Sequence, residues 1–185
     1  MTLLLVKTEP GSDVTAESTD PLDALYARHA SDVKRWARRL AGPSADVEDL
    51  LHDVFVIALR RRFTFRGEAN VTTWLFRITQ RVVRSRRRRS YVRALLFGRH
   101  HEAMATPASA TPHEEIERRE RHLQLYRALD GLPEAYRTAL ILYEIEGLSG
   151  EQVAELTGTS LGTLWVRLRR GRAKLLACLS AEERP

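Results

Sequence analysis

Apolar residues recur with a period near 3.6 along two stretches of this chain, and each stretch is divided by glycine, proline and capping residues. In the first stretch Leu22, Leu25, Tyr26, Val33, Trp36, Ala37 and Leu40 share one helical face, which Gly42-Pro43 ends. Ser44 is placed to cap the next helix. There Val47, Leu50, Leu51, Val54, Phe55 and Ala58 repeat at i, i+3, i+4, i+7, i+8 and i+11. A third helix carries Val71, Trp74, Leu75, Ile78 and Val82. Between the second and third helices, the segment 63–68 reads as a loop with aromatic rings beside a basic residue.

The second stretch predicts a helix from about Glu114 to Leu129, broken by Asp130-Gly131-Leu132-Pro133. The next helix runs from Glu134 to Glu146 and stops at Gly147. Ser149 caps a short helix, Gly150–Thr157. Gly158 turns the chain, Ser160 caps again, and a long helix follows from Leu161 to about Leu179. Its apolar stripe reads Leu161, Leu164, Trp165, Leu168, Leu175, Leu176 and Leu179. No segment alternates with period two, so the expected fold class is all-α. Two small helical domains, 21–95 and 113–180, are expected to be joined by a flexible linker, 96–112, that contains Pro107 and Pro112. Residues 1–20 read as a disordered acidic tail.

Charge changes this picture more than length does. The 185 residues carry a net charge of +6, unevenly placed. Residues 1–20 have a net of −3, residues 21–93 hold 17 basic and 7 acidic side chains, and residues 114–185 hold 11 and 12. Between Leu161 and Leu175 stand Arg167, Arg169, Arg170, Arg172 and Lys174, without an acid. Two basic patches therefore point to a polyanionic partner. The single cysteine, Cys178, excludes a disulfide framework and a cysteine-rich zinc site. The run Leu3–Val6 is too short for a signal or membrane segment, so a cytoplasmic protein without direct membrane insertion is expected.

The short helix, Gly158 turn and long basic helix form a helix-turn-helix pattern. Ala154 supplies the small residue where the helices touch, and Gly158 tolerates positive φ. Arg167, Arg170 and Lys174 recur on one face, as a helix in a major groove requires. A second signal is the run Arg81, Arg84, Arg86–Arg89 and Arg93, suited to phosphates. Phe63, Phe65, Trp74 and Phe76 lie just before it, and aromatics beside a basic track suit unstacked bases. A solvated helix end or a docking patch for an acidic partner would read the same. Asp46, Glu48, Asp49 and Asp53 lie on one helix beside Leu50, Val54 and Phe55, an edge suited to a protein contact. The six histidines show no ligand spacing, and no nucleophile elbow or phosphate-cradling loop is present. Neither catalysis nor a metal or cofactor is expected.

Two motif sets carry a family resemblance. Asp46-Val-Glu-Asp-Leu-Leu-His-Asp-Val-Phe55 and Thr73-Trp-Leu-Phe-Arg-Ile78 resemble conserved region two of bacterial sigma factors. Leu132-Pro-Glu-Ala-Tyr-Arg137, Glu146-Gly-Leu-Ser149 and Gly162-Thr-Leu-Trp-Val-Arg-Leu168 resemble their region four. Two regions and a short linker are the layout of the extracytoplasmic-function group. The resemblance implies a promoter-specificity subunit of RNA polymerase. It implies that Asp49, Leu50, Asp53, Val54 and Phe55 meet the clamp of the largest subunit, with the flap as a further polymerase contact. It implies that Arg66, Asn70, Trp74 and Arg77 capture the −10 element, with Arg81 and Arg84 on the backbone. Ser160, Thr163, Trp165, Arg167 and Arg170 would read the −35 element. An anti-sigma factor is an implied partner. The chain departs from the pattern at His52, where relatives carry Gln, and at Trp165, where Lys is common. Arg81 and Ser85 stand about where many relatives have Asn and Asp. The tail 1–20 lies outside the pattern and could compete with DNA for the basic patches. Competing readings are a stand-alone helix-turn-helix regulator, for which the acidic edge has no use, and a basic adaptor for RNA or an acidic protein.

Overall fold

A computed structural model of the chain describes residues 21–64, 70–97 and 112–182. The tail 1–20, the loop residues Phe65 and Arg66, the linker core with His100-His101, and residues 183–185 lie outside the described residues. The described residues form seven α-helices, a short 3-10 turn and a π-helical turn, with no strand among them.

Helix α1 spans Pro21–Ala41, α2 Val47–Arg61 and α3 Val71–Phe97. They pack on one another because each turns its apolar stripe inward. Val33, Trp36 and Leu40 of α1, Leu50, Val54 and Phe55 of α2, and Leu75, Phe76 and Val83 of α3 are all buried. Trp36 meets Phe76 edge-on, with ring centroids 5.3 Å apart and planes at 89°. Such a pair is worth about 0.5–1.5 kcal/mol beyond the area it buries. Two local expectations change. Asp46, not Ser44, caps α2: its backbone is extended and its carboxylate accepts from the Asp49 N–H at 3.1 Å. A carboxylate there also meets the positive helix end. Helix α3 runs on through Phe97, so the arginine run is helical throughout.

The second half comprises α4 (Pro112–Asp130), α5 (Glu134–Leu140), α6 (Gly150–Thr157) and α7 (Leu161–Glu182). The expected helix from Glu134 to Glu146 is not uniform. After Leu140 it widens into a π-turn over Ile141–Ile145, where the Glu146 N–H reaches the Ile141 carbonyl at 2.9 Å. A π-turn inserts one residue and re-aims those that follow. Here it lets Ile141 and Leu142 stay buried while Glu146 faces α1.

The buried line of α7 also departs from the expected stripe. Leu164, Leu168 and Gly171 are buried, whereas Leu161, Trp165 and Leu176 are exposed. The substitute for a large residue is Gly171. A Cβ there would stand 3.2–3.3 Å from Leu140 and Tyr136, so α5 and α7 approach through the missing side chain.

The tether also does not leave the halves apart. Buried residues of both halves form one continuous apolar cluster, and α3 lies against α6.

Candidate nucleic-acid and partner interfaces

The turn between α6 and α7 has the geometry that its sequence predicts. Ser149 Oγ accepts from the Gln152 N–H, and the Gln152 side chain accepts from the Ser149 N–H at 2.8 Å, a complete capping box. Gly158 ends α6 with φ 64° and ψ 40°, a left-handed conformation that costs other residues about 1–2 kcal/mol. Ser160 then caps α7, accepting from the Thr163 N–H at 3.2 Å and donating to Thr163 Oγ1 at 2.9 Å. Thr157 and Thr159 tie the turn together, hydroxyl to hydroxyl, at 3.0 Å. Ser160 and Thr163 are thus engaged in the cap, although both are exposed.

Past that cap, α7 presents its charge outward. Arg170 is exposed and Arg167 is half-buried beside the Leu164–Leu168 line. Trp165 is 47% exposed and stands edge-on to Tyr143, centroids 5.5 Å apart. Gly150 makes room for it: a Cβ there would lie 3.0 Å from the indole. Arg172 turns away from the others to Glu144, with Nε donating at 2.7 Å. Ser160, Thr163, Trp165, Arg167 and Arg170 therefore do share the N-terminal part of one helix, and Arg172 belongs to a local ion pair.

The candidate residues on α3 are dispersed. Asn70 accepts from the Thr72 N–H at 3.1 Å and so opens the helix. Trp74 is half-buried against the core, and Phe76 is fully buried, which removes Phe76 from any base-stacking role. Phe63 is 84% exposed, with the Arg62 guanidinium 4.6 Å from its ring centre. Arg81 and Arg84 are exposed. Arg77 is exposed too, but its guanidinium lies over the α6–α7 turn, with its central carbon 3.5 Å from where a Cβ of Gly158 would stand.

The arginine run divides by partner. Arg86 bridges the two acids of α2, with Nη1 2.6 Å from Asp49 Oδ2 and Nη2 2.6 Å from Asp53 Oδ2. These hydrogen bonds, to Asp53 first and Asp49 second, hold the guanidinium charged and its pKa above the ordinary value. Arg87 reaches the other half, to Asp130 at 2.7 Å and Glu134 at 3.1 Å. Arg84, Arg88, Arg89 and Arg93 stay exposed.

The α2 edge needs a correction. Leu50, Val54 and Phe55 are 3%, 0% and 7% exposed, so they face the bundle and cannot touch a partner in this arrangement. The periodicity that put them beside the acids is the periodicity that buries them. Asp49 and Asp53 are accessible, as are Glu48 and His52.

A third set of residues was not singled out from sequence. Arg137 is fully buried and donates from Nη1 to the Leu40 carbonyl at 2.6 Å. Its Nε lies 3.2 Å from Asp130 Oδ1 as an ion pair, and among the described residues Nη2 has no hydrogen-bond partner. Burial first, then the nearby Arg87 charge, push its pKa down. Tyr126 donates to the Arg39 carbonyl at 2.9 Å, and Gln80 donates to Thr138 at 3.1 Å. Glu146, with its side chain 6% exposed, accepts from Arg35 and from Arg39. The motif Leu132–Arg137 held the signal: an arginine inside an apolar helix must be paired or solvated.

Among the described residues, no cluster of His, Cys, Asp and Glu could hold a metal ion, and no helix is long and apolar enough to cross a membrane.

Comparison with known proteins accords with this geometry. Residues 25–92 match the family model for sigma-70 region 2, and residues 122–175 match that for sigma-70 region 4. The ECF RNA polymerase sigma factor SigE of Mycolicibacterium smegmatis is 36% identical over 160 residues, which cover 83% of this chain and 59% of that protein. The RNA polymerase sigma factor NccH of Alcaligenes xylosoxydans xylosoxydans is 32% identical over 161 residues, covering 86% and 87%. The solved structure of CnrH in complex with the cytosolic domain of CnrY matches with a TM-score of 0.57 at 26% identity, covering 91% of this chain and 93% of that one. Two region models in order, on a chain whose described residues are helical and include a helix-turn-helix, make this protein a member of the extracytoplasmic-function group of sigma-70 RNA polymerase sigma factors.

Proposed function

We propose that this chain binds core RNA polymerase through the exposed acids of α2 and directs it to promoters by reading two DNA elements with its two halves. The observation that carries the reading is the α6–Gly158–α7 helix-turn-helix, which exposes Arg170 and Trp165 on a helix without acids between Leu161 and Leu175. Inserted in a major groove, the first turns of α7 present Ser160, Thr163, Trp165, Arg167 and Arg170 to the −35 element. On α3, Asn70, Trp74 and Arg77, with Arg66 from the loop, take unpaired bases of the −10 element, and Arg81 and Arg84 hold the backbone. Asp49 and Asp53 meet the polymerase clamp. Leu50, Val54 and Phe55 set the angle of that edge from behind.

Arg77 lies over the Gly158 turn, so taking a single-stranded base draws it off the opposite half. In this reading promoter engagement separates the halves. Separation leaves a tethered pair in which the second contact is intramolecular, so each half can be a weak binder. An anti-sigma factor that favours the packed form would silence the protein. The likeness to CnrH, solved with the cytosolic domain of CnrY, supports such a partner. The reading has the protein act in the cytoplasm, as a non-enzyme, without cofactor.

The test is co-elution with core RNA polymerase. The wild-type chain should co-elute, and a variant with Asp49→Arg and Asp53→Arg should not. Phe55→Ala is unsuitable as a control because Phe55 is core. Wild-type protein that binds duplex DNA but never polymerase would establish a stand-alone regulator instead.

A further inference from the structure

The last turns of α3 carry an apolar stripe that nothing among the described residues covers. Tyr91, Leu95 and Leu96 are 70%, 74% and 69% exposed. With Val92, also exposed, they cover a broad arc of about 140° round the helix. Arg88, Arg89 and Arg93, with Val92 and Leu96, line a shallow groove along the Leu96 side of this surface. Contiguous exposed side chains differ from apolar residues scattered singly over a surface, and such a patch marks a docking site.

The occupant must be apolar and acidic. One segment of this chain has that composition. Residues 1–20 begin with the run Leu3-Leu4-Leu5-Val6 and continue through Glu9, Asp13, Glu17 and Asp20, with Lys7 the only base. The fourteen residues 7–20 between the apolar run and α1 span up to about 46–50 Å when extended. Helix α3, at 27 residues, is about 40 Å long. The tail is therefore longer than the helix on which the stripe lies, and long enough to lay its apolar run there. Being tethered, it competes at an effective concentration in the millimolar range, which a free partner rarely matches.

We propose that the N-terminal tail docks on the distal end of α3, with Leu3–Val6 on the Tyr91–Leu95–Leu96 stripe and its acids against Arg88, Arg89 and Arg93. The docked tail shields a basic track that otherwise contacts nucleic-acid phosphates. It is an intramolecular cover for the free protein, displaced when polyanion or polymerase takes the stripe.

The test places a photoactivatable phenylalanine analogue at Leu95 in the full chain, without DNA, and maps the cross-linked peptide. Cross-linking to residues 1–20 within the monomer is the expected result. The yield should collapse in Arg89→Glu/Arg93→Glu and at high salt. Cross-links only in a dimer would show a second copy on the stripe, and cross-links only when polymerase is added would show an external partner. Either of these, or no cross-link, overturns the proposal. A second readout needs no analogue. Replacing Glu9, Asp13, Glu17 and Asp20 by their amides should steepen the salt dependence of duplex binding by about 0.9 per arginine released, near 2.7 for three. An unchanged slope would also overturn it. Because the cross-link is read without DNA, its failure is distinct from failure of the promoter-reading proposal.

Discussion

The Arg137 guanidinium caps the end of α1 from the opposite half of the molecule, donating to the Leu40 carbonyl at 2.6 Å. The last carbonyls of a helix lack intrahelical partners and form the negative end of its dipole. Tyr126 closes the neighbouring Arg39 carbonyl at 2.9 Å. Gly42 permits this approach: it has φ 91°, and a Cβ on it would stand 2.8 Å from the Tyr126 ring. One helix end of the first half is thus completed by two side chains of the second.

This arrangement predicts the effect of Arg137→Met, which preserves length but not donors. The Leu40 carbonyl loses its partner while still buried, at a cost of about 1–3 kcal/mol. The loss falls on the contact between halves more than on either half. Small-angle scattering should show a larger radius of gyration, with little change in helicity. An unchanged radius would mean that the remaining contacts, the apolar packing of α3 on α6 and the ion pairs of Arg87 and Glu146, hold the halves without it.

Gly158→Ala tests two effects at one position. The left-handed backbone costs alanine about 1–2 kcal/mol. The new methyl also meets the Arg77 guanidinium. Combining Gly158→Ala with Arg77→Ala should remove the second part and leave the first. Denaturant midpoints of the two single variants and the double variant separate them, and strict additivity would exclude the Arg77 contact.

The caps at Ser149 and Ser160 and the turn at Gly158 were legible in the sequence because each rests on local chemistry: a hydroxyl for an open N–H, a missing Cβ for positive φ. Other features were not legible. Asp46 displaced Ser44 as a cap because an extended residue immediately before the helix is a matter of register, not of residue type. The π-turn at Ile141–Ile145 has no local signature, since it follows from where Glu146 and Leu142 must point at once. The burial of Leu50, Val54 and Phe55 is implied by periodicity, yet the neighbouring acids Asp49 and Asp53 make the same residues resemble an exposed edge. The division of the arginine run depends on partners more than 30 residues away, Asp53 for Arg86 and Asp130 for Arg87.

The basic face of α7 supports a contrast between neighbouring arginines. Arg170 is exposed, whereas Arg172 is held by Glu144 and lies 5.9 Å from the Tyr143 ring centre. Arg170→Ala should cost about 1–3 kcal/mol on a preferred −35 sequence and relax discrimination there, if it grips a base edge. Arg172→Ala should leave duplex affinity nearly unchanged. Binding titrations on matched and scrambled duplexes distinguish the two. An equal loss on both duplexes for Arg170→Ala would assign it to phosphate.

Alkaline pH should open the molecule through Tyr126. Burial raises its phenol pKa above the ordinary value near 10, and the charges of Arg137 and Arg39 oppose that only in part. The folded pKa therefore lies above the unfolded one. The stabilisation is complete below about pH 10 and is lost as pH rises through the folded value, because the unfolded chain releases the proton first. The phenolate also cannot donate to the Arg39 carbonyl. Near-ultraviolet titration should show a late step, a tyrosine that ionises above the ordinary phenol range, together with expansion in scattering. Tyr126→Phe should abolish the late step and weaken the contact by about 0.5–1.5 kcal/mol at neutral pH. A late step that survives in Tyr126→Phe would assign it to another tyrosine and detach the alkaline opening from the capped end of α1.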